Sequence, residues 1–204
     1  MAGGVKKIIM YGESSAGKTS ILQRCVHDHF DANCPPTIGV DFLVTSVRVD
    51  VDTQKSPIDV RIQLWDTSGR RRFFGVVEMY SSRMDGMLLV YDVTNARSFE
   101  QILEAWAPIR DRNTRGCPTI LVGTKSDSEA IAVESREVTF EQGQQMAHRI
   151  GAKFMEVSAK SGLNCRQLLT ELVTDILAPR PPSKWGWLRS LSFGWTNCFR
   201  PAAA

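Results

Sequence analysis

The chain has 204 residues, 43% of them hydrophobic, and 25 Lys and Arg against 22 Asp and Glu give a formal charge of +3. That length can bury one sizeable core and is short for two, and the charge is too small to argue for nucleic acid as a partner. Five cysteines (Cys25, Cys34, Cys117, Cys165, Cys198) show no C-x-x-C spacing and follow no secretory leader, so they read as reduced thiols of a cytosolic protein. No run of about 18 apolar residues exists that would span a membrane.

The first element expected is a strand over Val5–Tyr11. It runs into Gly12-Glu13-Ser14-Ser15-Ala16-Gly17-Lys18-Thr19, followed by a helix over Ser20–His29. Strand, glycine-bounded loop and helix is the context in which G-x-x-x-x-G-K-T cradles phosphate. Backbone N–H groups from Gly12 through Ser20, those of Ser14, Ser15, Ala16 and Gly17 among them, and the positive end of the helix favour an anion. Lys18 can reach β- and γ-phosphates, and the Thr19 hydroxyl can hold Mg²⁺. A nucleoside triphosphate is the implied ligand.

Strands follow at Phe42–Val51 and Val60–Trp65, separated by Asp50 to Pro57 without a helix, so these two pair antiparallel. Met87–Asp92 is apolar almost throughout, which suits a central strand covered on both faces. Next come a helix over Ser98–Arg110, a strand over Thr119–Thr124, a helix over Phe140–Ile150 and a strand over Lys153–Val157. Thr139 with Gln142 forms a capping box, and Gly151 stands at the C-cap. The last helix, Asn164–Leu177, carries a core stripe of Leu168, Leu169, Leu172, Val173 and Ile176. The alternation implies an α/β fold with a six-stranded mixed sheet, one antiparallel strand and helices on both faces. Ligands then bind beyond the carboxyl ends of the strands. Residues 1–177 form the domain. Residues 178–204 form a proline-rich linker and a tail without Asp or Glu, with four basic residues and three of the five tryptophans.

Four further segments occur in a specific order: Thr37-Ile38-Gly39-Val40-Asp41-Phe42, Leu64-Trp65-Asp66-Thr67-Ser68-Gly69, Gly123-Thr124-Lys125-Ser126-Asp127 and Ser158-Ala159-Lys160. Between the second and third stands Gly86-Met87-Leu88-Leu89-Val90-Tyr91-Asp92-Val93-Thr94. From about Val5 to Leu177 the chain resembles the Ras superfamily of small GTPases, and within it the Rab family. The resemblance implies the P-loop NTPase (small G-protein) fold, GTP or GDP and Mg²⁺ as ligands, and a switch that recruits effectors. It also implies an exchange factor, a GTPase-activating protein and a cytoplasmic location on the cytosolic face of an endomembrane.

The resemblance assigns roles residue by residue. Thr37 binds Mg²⁺ and the γ-phosphate beside Thr19 and Asp66, and Gly69 approaches the γ-phosphate closely. Asp127 reads guanine, Lys125 packs its stem over the base, and the Ala159 N–H donates to O6, with Thr124, Ser158 and Lys160 completing the base site. Adenine presents an acceptor where guanine has its N1–H, so a P-loop ATPase or kinase is the rival that Asp127 argues against. Phe30 falls where an aromatic packs on guanine, with core packing as the other reading. Ile38, Phe42, Trp65 and Tyr80 match the effector surface, with simple cover of the sheet edge as the alternative.

Three features depart from the family pattern. Thr124 replaces Asn, and Cys34 replaces an aromatic lid. Arg70 replaces the Gln that orients the attacking water, and Arg has five donors and no acceptor. Slow hydrolysis by Lys18, Thr37, Gly69 and Arg70 is expected. Arg70 acting as a cis arginine finger, or a GTP-locked scaffold, are the alternatives. At the other end, Cys198 stands too far from the last residue for a C-a-a-X signal, and Ala2 replaces the glycine of a myristoylation site. Residues 184–198 suit the surface of an anionic membrane or a docking site on protein, and Cys198 is a possible palmitoylation site.

Overall fold

A computed structural model of the chain describes residues 4–50, 56–70, 75, 79–80, 83–112, 116–127 and 136–178. Residues 51–55, and the tail with residues 184–198 and Cys198, lie outside the described residues. The strands are β1 (Lys6–Tyr11), β2 (Val40–Val49), β3 (Ile58–Thr67), β4 (Gly86–Asp92), β5 (Thr119–Thr124) and β6 (Lys153–Glu156). The helices bounded within the described residues are α1 (Lys18–His27), α2 (Ala96–Arg112), α3 (Phe140–Ile150) and α4 (Cys165–Leu177). The sheet order is β2-β3-β1-β4-β5-β6, with β2–β3 antiparallel and every other pair parallel. The six-stranded mixed sheet expected from the sequence is the one present.

Side chains alternate across the sheet and divide the core in two. Ile8, Met10, Leu88, Val90, Ile120 and Val122 face α1 and the Leu168, Leu172 and Ile176 stripe of α4. Ile9, Tyr11, Met87, Leu89, Tyr91 and Leu121 face the other way, with Ile102 and Ile109 of α2 and Met146 of α3. A period of two puts successive residues on opposite faces, so only a strand covered on both sides can be apolar throughout. β4 meets that condition: all seven of its residues are buried.

The boundaries differ from expectation where loop residues join an element. β2 begins at Val40 rather than Phe42, and β3 runs on to Thr67 rather than ending at Trp65, because Val40 pairs with Thr67 and Asp41 with Asp66. Asp66 therefore sits on a strand rather than after one. α1 begins at Lys18, two residues early, so the phosphate-loop lysine is helical. Asn164 is not helical but caps α4 in the left-handed region, its amide donating to the Glu156 carbonyl at 2.8 Å. The capping box of α3 is present, with the Thr139 hydroxyl accepting from Gln142 N and the Gln142 side chain accepting from Thr139 N. No helix among the described residues is long and apolar enough to cross a membrane.

Gly143 on α3 shows how tightly the second layer packs. A Cβ there would lie 2.4 Å from Phe154 Cζ and 2.5 Å from the Tyr91 hydroxyl. Glycine to alanine within a helix ordinarily stabilises by about 1 kcal/mol. Here overpacking, at about 1–3 kcal/mol, outweighs that gain. G143A therefore lowers the denaturant midpoint in a urea titration, and a raised midpoint would mean Phe154 swings aside freely.

Candidate functional site

β1, β4 and β5 are neighbours, and their carboxyl ends deliver three loops to one edge of the sheet. The connection from β1 leads to one side of the sheet and that from β4 to the other, the arrangement that opens a crevice in doubly wound folds. A cavity of about 500 Å³ occupies this edge. Its wall includes Ser14, Ser15 and Gly17 from the loop after β1, Lys18, Thr19 and Ser20 from the start of α1, and Phe30 and Thr37 from the segment before β2. Thr124, Lys125 and Asp127 come from the end of β5, and Ala159 and Lys160 from the loop after β6. Gly12, Ala16, Asp66, Gly69 and Ser158 do not line the cavity. Arg70 is exposed outside it.

The loop after β1 is pressed against its neighbours. A Cβ on Gly12 would lie 2.0 Å from the Val90 carbonyl oxygen, so β4 leaves space for no other residue. Gly69, at φ +68, is as confined: its Cβ would lie 2.5 Å from backbone atoms of Gly12, Glu13 and Ser14. The strand end carrying Asp66 is thereby seated directly on the phosphate loop. Lys18 is 4% exposed, and its ammonium donates to the Gly12 carbonyl at 3.0 Å and the Glu13 carbonyl at 2.6 Å. Burial lowers its pKa to about 8, against the opposing pull of Asp66 and Glu13. A buried ammonium resting on carbonyl oxygens is poised to exchange them for a more strongly charged anion.

Asp66 Oδ2 accepts from Thr19 Oγ1 at 2.6 Å and from Thr37 Oγ1 at 2.8 Å. Its other oxygen, Oδ1, is buried with no hydrogen-bond partner. Burial raises the pKa of this carboxyl, the two hydroxyls and Lys18 pulling the other way. The two hydroxyls also lie 2.8 Å from each other, so Thr19, Thr37 and Asp66 bring three oxygens to one point. An all-oxygen set with an unpaired carboxylate oxygen and crowded hydroxyls fits a hard divalent cation, and Mg²⁺ takes such ligands.

At the far end of the cavity the Thr124 hydroxyl donates to the Ala16 carbonyl at 2.8 Å and the Tyr91 carbonyl at 3.0 Å. It fastens the phosphate loop to β4 and β5. Ser158 is fully buried, and its hydroxyl accepts from Ser161 N at 3.1 Å, so it shapes the loop that presents Ala159. Phe30 lines the cavity and also packs on the core beside α1. Cys34 also lines the cavity, and burial pushes its thiol pKa up.

Several residues at this edge carry no signal in the sequence. Arg24 of α1 donates to the Ala159 and Lys160 carbonyls at 2.7 and 2.9 Å and pins the last loop to the first helix. Gln101 of α2 donates to the Glu13 carboxylate at 2.9 Å. Thr67 and Ser68, present in the motif that follows Leu64, also line the cavity wall.

Away from the cavity, Phe42 stacks on Trp65 at 5.5 Å and Trp65 leans on Tyr80 at 5.3 Å. Trp65 and Tyr80 also pack on the second core layer, whereas Phe42 is 47% and Ile38 91% exposed. The trio is half core, half surface.

Fold and site together define a P-loop α/β domain. The Ras family profile matches residues 7–178. The chain is 42% identical over 178 residues to Ras-related protein RabC of Dictyostelium discoideum, covering 87% of each chain. It is 36% identical over 171 residues to human Ras-related protein Rab-15, covering 84% of this chain and 76% of that one. It is 33% identical over 170 residues to GTP-binding protein ypt2 of Schizosaccharomyces pombe, covering 83% and 80%. The chain belongs to the Ras family, as a small GTPase of the Rab kind.

Replacing Thr124 with valine keeps the shape and removes the hydroxyl shared by the buried Ala16 and Tyr91 carbonyls. Such a loss costs about 1–3 kcal/mol. Chemical denaturation of T124V in the absence of nucleotide measures it, and wild-type stability would show that the hydroxyl fastens nothing.

Proposed function

We propose that the protein is a guanine-nucleotide-dependent switch of membrane trafficking that binds GTP and GDP with Mg²⁺ and hydrolyses GTP slowly. The observation that carries this reading is the meeting of a phosphate loop, an oxygen set and two base-reading loops on one 500 Å³ cavity. Polyphosphate enters at the α1 end, and Lys18 turns from the Gly12 and Glu13 carbonyls to phosphate oxygens. Asp127 accepts from the guanine N1–H and exocyclic amine, and Ala159 N donates to O6. When bound at Thr19, Thr37 and Asp66, Mg²⁺ supplies charge neutralisation for the β- and γ-phosphates.

Thr37 reports the state of the nucleotide. Its hydroxyl is held at the Asp66 carboxylate, and a γ-phosphate adds a second tie that hydrolysis removes, which frees the segment before β2. That change would reach Ile38, Phe42, Trp65 and Tyr80, the surface assigned to effectors. Exchange factors and GTPase-activating proteins would act on the same segments. In residues 184–198, tryptophans, basic residues and Cys198 suit contact with the cytosolic face of an endomembrane.

Water positioning is the weak step. Arg70 follows Gly69, which is wedged on the phosphate loop, so its backbone lies near the γ-phosphate position. Its guanidinium has no lone pair to orient an attacking water. A second reading, a GTP-locked scaffold for effectors, draws on the same residue and differs only in how far the rate falls.

Single-turnover assays separate these readings. Arg70→Gln is expected to hydrolyse GTP faster than wild type, and a mutant no faster sinks the slow-enzyme reading. GTP is expected to bind far more tightly than ATP. Asp127→Ala should weaken GTP by about 10²–10⁴-fold, since two hydrogen bonds to a charged group contribute about 1.5–3 kcal/mol each. Equal affinities for the two purines would overturn the proposal as a whole.

A further inference from the structure

Asp92 closes β4 at the edge of the cavity, outside the phosphate loop and the base-reading motifs. The parallel register sets it beside Thr124, so Lys125 is the first residue beyond that pairing. Lys125 has φ +60, in the left-handed region that a lysine adopts only when its surroundings hold it there. The Lys125 ammonium lies 2.6 Å from Asp92 Oδ2, with the Asp92 side chain 8% exposed and the lysine 45%. The other oxygen, Oδ1, accepts from Thr94 N at 2.9 Å and Thr94 Oγ1 at 2.7 Å, and Asp92 N donates to Ser98 Oγ at 3.0 Å. Both carboxylate oxygens are engaged and the residue is held from its main chain, so the carboxylate is a fixed anchor rather than a mobile counter-ion.

We propose that Asp92 is the positioning residue for the base site: it clamps the Lys125 ammonium, and the lysine's four methylenes are thereby laid along the cavity wall where guanine stacks. The clamp serves two ends. It holds the apolar stem in place before the base arrives, which lowers the entropy cost of ordering a long side chain on binding. It also keeps the ammonium from turning towards the phosphates, so phosphate charge stays with Lys18. The inference rests on the reading of Lys125 as a base contact.

The test measures dissociation of a fluorescent guanosine diphosphate from the full chain with Mg²⁺ present. Lys125→Ala removes the stem and is expected to release nucleotide fastest; release at the wild-type rate would refute the base contact itself. Asp92→Asn keeps the Oδ1 contacts to Thr94 and loses the charge. Lys125→Met keeps an apolar stem and loses the ammonium. Each is expected to speed release about tenfold, and the D92N/K125M double variant no more than either single one. Multiplied effects in the double variant would mean that Asp92 acts through the β4 loop and not through Lys125. An unchanged rate in D92N, with K125A fast, would overturn the proposal alone. Lys125 is half exposed, so K125M folds even if D92N does not, and wild-type release from K125M overturns the clamp by itself.

Discussion

The carboxylate of Asp66 organises this molecule's working edge. It is nearly buried, and a buried anion is tolerated only where hydrogen bonds or cations compensate it. Thr19 from the phosphate loop and Thr37 from the segment before β2 converge on one of its oxygens, and Lys18 supplies nearby positive charge. Three stretches distant in sequence are thereby held to one point. The compensation is incomplete, because Oδ1 has no partner. An edge with an unmatched acceptor, crowded hydroxyls and an ammonium resting on carbonyls is stable enough to fold and short of the charges that a metal-bound polyphosphate brings.

Geometry around that point leaves little slack. Gly69 meets backbone, not side chain, so the contact between the β3 end and the phosphate loop cannot be relieved by a rotamer change. A backbone-to-backbone seat transmits a small displacement from one segment to the other, as packed interfaces do. Trp65 sits one residue before Asp66 and joins Phe42 on the surface to Tyr80 near the core. The nucleotide edge and the aromatic surface are therefore consecutive residues of one strand. Alternation puts their side chains on opposite faces.

At the far end of the cavity the support is more distributed. Thr124 bridges the phosphate loop and β4, Arg24 ties α1 to the last loop, and Asp92 holds Lys125. Each joins one cavity loop to a different element. The hydroxyl at position 124 makes two contacts to main-chain carbonyls, which explains how a residue shorter than asparagine still serves as a fastener there.

Local pattern was enough for much of this. The apolar run of β4, the stripe on α4 and the capping box at Thr139 are consequences of burial periodicity and of orphan N–H groups at a helix start, both readable from neighbours in sequence. The same holds for the residues that reach the cavity in motifs, since loop glycines, a lysine and hydroxyls at fixed spacing have few other uses. The ends of β2 and β3 were not legible. Asp41, Asp66 and Thr67 are polar, and they are strand residues only because an antiparallel partner extends to meet them. Nor could Gln101, Arg24 or Asp92 be read, being common polar residues on a helix or at a strand end. Their roles depend on which carbonyl, carboxylate or ammonium the fold places within 3 Å, a matter of distances between segments up to 136 positions apart. Sequence by itself determined the elements and the chemistry they carry; tertiary structure decided which charges meet, because only packing fixes the separations on which hydrogen bonds and ion pairs depend.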